Sequence, residues 1–233
     1  LAQSGDSADQ RQEDDRRDHH LDQFDEPVAE RLQRRAHVGI EMPDDRADND
    51  RDQHLVTTVN PLTLGEWETS FGRLYRAAID AGVLSVMSAH IAFPAFVREL
   101  DPSAEAEAFR PACVSRVLNQ TLLRERLGFN GLIVSDATAM AGLGDWGHRD
   151  QTVPELIIAG CDVILFSDDP NTDLMRLVKA VADGRLTQER VDEAVTRILA
   201  LKAALGLHKE REEPNLESAT KIVATPQNLE ISH

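Results

Sequence analysis

Aromatic side chains are scarce in this sequence, at 4% of 233 residues, with a single tyrosine. Cysteine is scarcer still, since Cys113 and Cys161 are the only two. Two thiols in a chain this long make neither a disulfide framework nor a zinc site, so no metal is expected. Their apolar or small-residue settings read as buried thiols. Positive charge is in deficit: 25 Lys and Arg face 41 Asp and Glu, a formal net charge of −16. A surface that acidic repels phosphate backbones, so nucleic acid is not an expected partner. No apolar run approaches the ~20 residues of a membrane span. No charged-then-apolar leader opens the sequence, and the expectation is a cytoplasmic protein without a membrane partner. What is present, 41% hydrophobic and 28% charged residues, suits a soluble globular domain.

Residues 1–54 differ from the rest. From Gln10 to His20 there is no apolar period, and Asp44 to Asp52 repeats the pattern. Such a segment buries too little apolar surface to offset its ordering entropy, and a disordered acidic tail is expected. A second reading is a misread frame, with the authentic one resuming near Asp52. His19 and His20 read as solvated tail residues rather than metal ligands.

From Thr63 onward the signals strengthen. Thr63-Leu64-Gly65-Glu66 is a capping box, and Leu64, Trp67, Phe71, Leu74 and Ala78 follow at helical spacing. Gly82 ends that helix, and a short apolar strand runs from Val83 to Met87. A helix over Val114 to Leu127 stops at Gly128, before the strand Leu132-Ile133-Val134 and then Ser135-Asp136. A helix over Val153 to Ala159 stops at Gly160, before the strand Val163 to Phe166 and then Ser167-Asp168-Asp169. Two more helices, Asp173 to Ala182 and Gln188 to Leu205, are closed by Gly184 and Gly206. Strands without alternation, separated by helices, predict a parallel sheet, its strands neighbours in chain order. A barrel and a doubly wound sheet fit equally. No Gly-rich phosphate loop follows any strand, which disfavours a nucleotide site.

Parallel α/β folds carry their chemistry at the carboxyl ends of strands. Asp136 follows three apolar strand residues and reads either as a reactive acid or as a helix cap. Asp168 and Asp169 precede Pro170-Asn171-Thr172 and read as caps. Asp52 and His54 form a D-x-H pair in which the carboxylate can fix the imidazole as a proton shuttle. In so acidic a region that spacing alone is weak. His90, just past the first strand, reads equally as a substrate contact or as packing.

Gly128-Phe129-Asn130-Gly131-Leu132-Ile133-Val134-Ser135-Asp136 closely resembles the G-F-x-G-[LIV]-[IV]-x-[ST]-D segment of glycoside hydrolase family 3. Three further motifs match in order. Val86-Met87-Ser88-Ala89-His90 resembles the V-M-[ST]-A-H strand end, Leu122 to Leu127 the L-L-R-x-x-L helix, and Thr187 to Leu207 the closing helix. Asp52-Gln53-His54 is similar to the D-x-H of the β-N-acetylhexosaminidase branch, and Pro43 matches the proline of its K-H-F-P-G-x-G loop. Ile40 and Glu41 stand where that loop has its sugar-binding Lys and His.

The resemblance implies an α/β fold, a partial (β/α)8 TIM-type barrel over 55–208, with an acidic segment 1–54 and a linker 209–233 towards a further domain. It implies retaining hydrolysis of a terminal β-linked N-acetylhexosamine or related β-glycoside, without cofactor or metal. Asp136 matches the nucleophile, His54 the acid/base and Asp52 its orienting partner, with His90 and Met140 as substrate contacts and a carbohydrate as partner. A catalytically inactive fragment or pseudoenzyme of the same family and an acidic interaction protein are the alternatives.

Overall fold

The computed structural model describes residues 52–209 and Thr225. The expected tail 1–40, the loop residues Ile40, Glu41 and Pro43, and most of 209–233 lie outside the described residues.

The architecture is α/β with parallel strands. Strand β1 (Thr58–Val59) leads through α1 (Leu64–Thr69) and α2 (Phe71–Asp80) to β2 (Ser85–Ser88) and β3 (Ile91–Ala92). Next come α3 (Pro94–Leu100), α4 (Glu105–Ala108), a tight turn over Ala112–Val114 and α5 (Val117–Arg126). Strand β4 (Leu132–Ala137), α6 (Ala141–Gly144), α7 (Arg149–Ala159), β5 (Val163–Leu165), α8 (Pro170–Ala182) and α9 (Gln188–Ala204) complete the order. The three strands expected as neighbours do lie in one parallel sheet, in the order β2-β4-β5. Ser85 to Ser88 pair with Leu132 to Ser135, and Val134 and Ala137 pair with Val163 and Leu165. A second parallel pair joins β1 to β3, Thr58 opposite Ile91.

Local chemistry explains most boundaries. The capping box forms as expected: Glu66 N–H donates to Thr63 Oγ1 at 3.3 Å, and Thr63 N–H to the Glu66 carboxylate at 2.9 Å. Asp169 caps α8, accepting from the amides of Asn171 and Thr172. All five glycines expected to close helices have positive φ. Gly160 (φ +120°) is doubly constrained, because a Cβ there would lie 2.4 Å from Gln120 Nε2.

Two expectations need correction. The helix after Thr63 is two helices, because Ser70 leaves the helical region (φ −111°, ψ −92°) and its hydroxyl donates to Glu66 O at 2.6 Å. That hydrogen bond offers the backbone an alternative to the ladder. The helix expected from Val114 is a tight turn and then a wide helix, in which Leu127 N–H reaches back five residues to Leu122 O. One face of this helix still supplies core: Leu118, Leu122 and Leu123 join Trp67, Phe93, Phe96 and Ile133 in one buried cluster.

Candidate active site

Asp136 lies near the carboxyl end of β4, the central strand, and is 6% exposed. The amide of Ala137 donates to its Oδ1 at 2.6 Å. The carboxylate is thus aimed by the backbone of its own strand rather than by a helix it caps.

Asp52 and His54 form the pair the spacing suggested. His54 Nδ1 is 2.6 Å from Asp52 Oδ1, and the His54 amide donates to the same oxygen at 2.8 Å. These two bonds, backbone first and side chain second, hold the Asp52 carboxyl below the usual carboxylate range. A carboxylate on Nδ1 fixes the imidazole tautomer and leaves proton exchange to Nε2.

Tertiary contacts tie this loop to the far end of the Asp136 strand. The amide of Ala141, five residues beyond Asp136, donates to His54 O at 3.1 Å. Thr57 Oγ1 donates to Gly142 O at 2.5 Å. Gly142 packs so tightly that a Cβ there would lie 2.4 Å from Gln53 O. Nothing in the sequence marked Gly142 beyond a glycine inside a short helical stretch.

His90 sits beneath the site. It is fully buried, with Nε2 3.0 Å from Ala137 O and Nδ1 3.1 Å from Cys113 Sγ. A carbonyl only accepts, so Nε2 carries the hydrogen and Nδ1 accepts the thiol proton. Burial pushes the imidazole below its ordinary value and pushes the Cys113 thiol up. The ring is thus fully enclosed, with both nitrogens engaged. Through Nε2 on Ala137 O, and through its own carbonyl, which accepts from Thr58 N–H at 3.3 Å, His90 links the Asp136 strand to the segment that follows His54. Met140 is half-buried where α6 begins, its amide donating to Ala137 O at 3.1 Å.

A second network fixes the neighbouring strand end. Thr138 N–H donates to Leu165 O at 3.2 Å, and Thr138 Oγ1 to Phe166 O at 3.0 Å. Arg149 binds Thr138 O at 3.0 Å and reaches the buried Asp173 at 3.0 Å and Asp168 at 3.3 Å. Of the two acids read as caps, Asp168 instead pairs with this arginine. Sequence spacing gave no sign of the Arg149 clamp, whose partners come from separate segments.

Several known proteins resemble this chain in sequence and fold. A beta-N-acetylglucosaminidase/beta-glucosidase of Cellulomonas fimi is 48% identical over 186 residues, 80% of this chain and 33% of that protein. A beta-hexosaminidase of Methylobacillus flagellatus is 32% identical over 120 residues, 52% of this chain and 31% of that protein. The solved structure of beta-glucoside phosphorylase BglX bound to 2FGlc matches with a TM-score of 0.76 and 37% identity, over 82% of this chain and 34% of that one. A glycoside hydrolase family 3 beta-N-acetylglucosaminidase from Paenibacillus sp. str. FPU-7 matches with a TM-score of 0.62 and 29% identity, over 71% of this chain and 30% of that one. The chain thus spans about a third of the length of these relatives. The likenesses fix the architecture as part of a TIM-type barrel. The model of the glycosyl hydrolase family 3 N terminal domain matches residues 46–201, and the chain belongs to that family.

Proposed function

We propose that this chain carries the nucleophile and the acid/base of a retaining β-glycosidase acting on terminal β-linked N-acetylhexosamine or a related β-glucoside. Asp136 attacks the anomeric carbon and forms a glycosyl ester while His54 Nε2 gives its proton to the departing oxygen. In the second step neutral His54 takes a proton from water, whose oxygen attacks the same carbon. The ester breaks, and Asp136 returns as carboxylate with His54 reprotonated. Asp52 holds the ring in position and stabilises its cationic form.

The observation that carries this reading is the Asp52–His54 pair bound, through Ala141 N–H and His54 O, to the segment that follows the Asp136 strand. An activated 2-fluoro glycoside, followed by mass spectrometry, tests it. The expected adduct lies on the peptide containing Asp136, and an adduct on Asp168 or Asp169 would refute the assignment. Asp136→Asn should abolish turnover. His54→Ala should slow poor leaving groups by roughly 10²–10⁴ and nitrophenyl glycosides much less.

A second reading has phosphate in place of water in the second step, and likeness to a beta-glucoside phosphorylase favours it. A histidine acid/base repels an incoming anion less than a carboxylate does. Release of sugar 1-phosphate in phosphate buffer, followed by ³¹P NMR, separates the two.

A further inference from the structure

Phe166 combines three features that a packing residue does not. It is the only non-glycine residue with positive φ among the described residues, at +47°. An aromatic side chain rarely adopts that conformation, and such outliers gather where a site demands them. Its side chain is 70% exposed. Its backbone is held by purpose-built polar contacts: Thr138 Oγ1 on its carbonyl, Thr138 N–H on the carbonyl before it, and Ser167 Oγ on Asp173 at 2.5 Å. Arg149 locks Thr138 and Asp173 together.

Its place in the sheet says what such a residue can meet. Ala137, next to Asp136, pairs with Leu165, next to Phe166. Asp136 lies on the central strand, between β2 and β5. The His54 loop is held to the segment that follows β4, Ala141 N–H donating to His54 O at 3.1 Å. A sugar ring whose anomeric carbon lies at Asp136 therefore lies beside the carboxyl ends of β4 and β5, where Phe166 follows Leu165.

We propose that Phe166 is a stacking platform for that ring, its aromatic face set against the C–H face of the pyranose. The proposal rests on the active-site reading above. The clamp through Thr138 and Arg149 maintains the unfavourable backbone angle that presents the ring.

Binding of free glucose and free N-acetylglucosamine to the 233-residue chain, by saturation-transfer NMR titration, tests it, with thermal melts in parallel. Phe166→Gly removes the ring and accepts positive φ. The expected result is affinity weakened roughly 2- to 10-fold for the free sugar, with Tm unchanged or higher. Phe166→Tyr should keep the affinity. Equal affinity in Phe166→Gly overturns the platform and leaves the catalytic reading standing. A fall in Tm with Phe166→Gly identifies a packing residue and also overturns it. Weakening seen with nitrophenyl glycosides but not with free sugar overturns the placement against the attacked ring. If the unaltered chain binds neither sugar, the catalytic reading fails and the platform with it.

Discussion

A methyl group at position 142 would lie 2.4 Å from Gln53 O, 3.1 Å from His90 Cβ and 3.2 Å from Val56 O. Two of those three neighbours are backbone and cannot rotate away. Gly142→Ala should therefore displace the loop that carries His54 and destabilise the chain by about 1–3 kcal/mol, the usual cost of overpacking. If His54 is the acid/base, as proposed, and it moves while Asp136 does not, rates with poor leaving groups should fall more than rates with nitrophenyl glycosides. Equal losses on both would show that the nucleophile moved as well. His90 supplies a second expectation at this scale. Burial depresses its affinity for a proton in the folded chain. The unfolded chain then binds more protons just below the ordinary histidine value of about 6.5, so stability falls as pH drops through that value. Denaturant midpoints between about pH 7.5 and 5 should show this decline in the native protein and a flatter line in His90→Gln. An unchanged slope in the variant would mean that His90 titrates freely. The sequence placed His90 at a strand end but left open whether it packs or binds. The deciding partners, Ala137 O and Cys113 Sγ, come from 47 and 23 residues away.

At the scale of elements, the end of the sheet opposite Asp136 is held by one carboxylate. The Asp162 side chain is fully buried just before β5, where it binds Arg124 at 2.8 Å and Arg190 at 2.8 Å and lies 3.5 Å from Arg197. It also accepts the Ile133 amide at 3.0 Å, so α5, β4 and α9 meet on it. Asp162→Asn would leave the nearly buried Arg124 guanidinium without its counter-charge, at a cost of about 3–5 kcal/mol. Urea unfolding should register that loss, and turnover per folded molecule should stay near native because Asp136 is remote. A large fall in turnover at full folding would contradict this separation of the two ends. Helix starts were legible here, since Thr63, Asp169 and Thr187 cap through contacts within three residues of themselves. The break at Ser70 and the wide turns of α5 were not. They trade local ladder geometry for other contacts: Ser70 donates its hydroxyl to Glu66 O, and Asn119 bonds Ser88 and Ala112.

For the whole molecule, the sheet order carries a mechanical expectation. Strand β4 is paired on both sides, whereas β5 pairs only with β4 among the described residues. Ile133 is fully buried, while the residues of β5 are all partly exposed. Amide exchange should therefore be slowest in β4 and faster in β5, since protection follows burial and pairing. Slower exchange in β5 than in β4 would contradict the order. Asp136, the proposed nucleophile, would then sit near the carboxyl end of the most protected strand, where small displacements are best resisted.

The sequence left β1, β3 and the short helices α3, α4 and α6 unmarked, but by itself determined the three strands of the main sheet and the longer helices around them, that these strands run parallel, and the family. Each of these rests on periodicity, capping or ordered motifs within short stretches of chain. It also singled out Asp136, whose place after Leu132-Ile133-Val134 is a local fact. Only the tertiary structure decided that the weak Asp52–His54 spacing forms a bonded pair docked beside that strand, that His90 is buried with both ring nitrogens engaged, and that Arg149 and Phe166 meet on Thr138. The physical reason is sequence distance. Thr57 meets Gly142 across 85 residues, and a contact of that length leaves no periodicity to read.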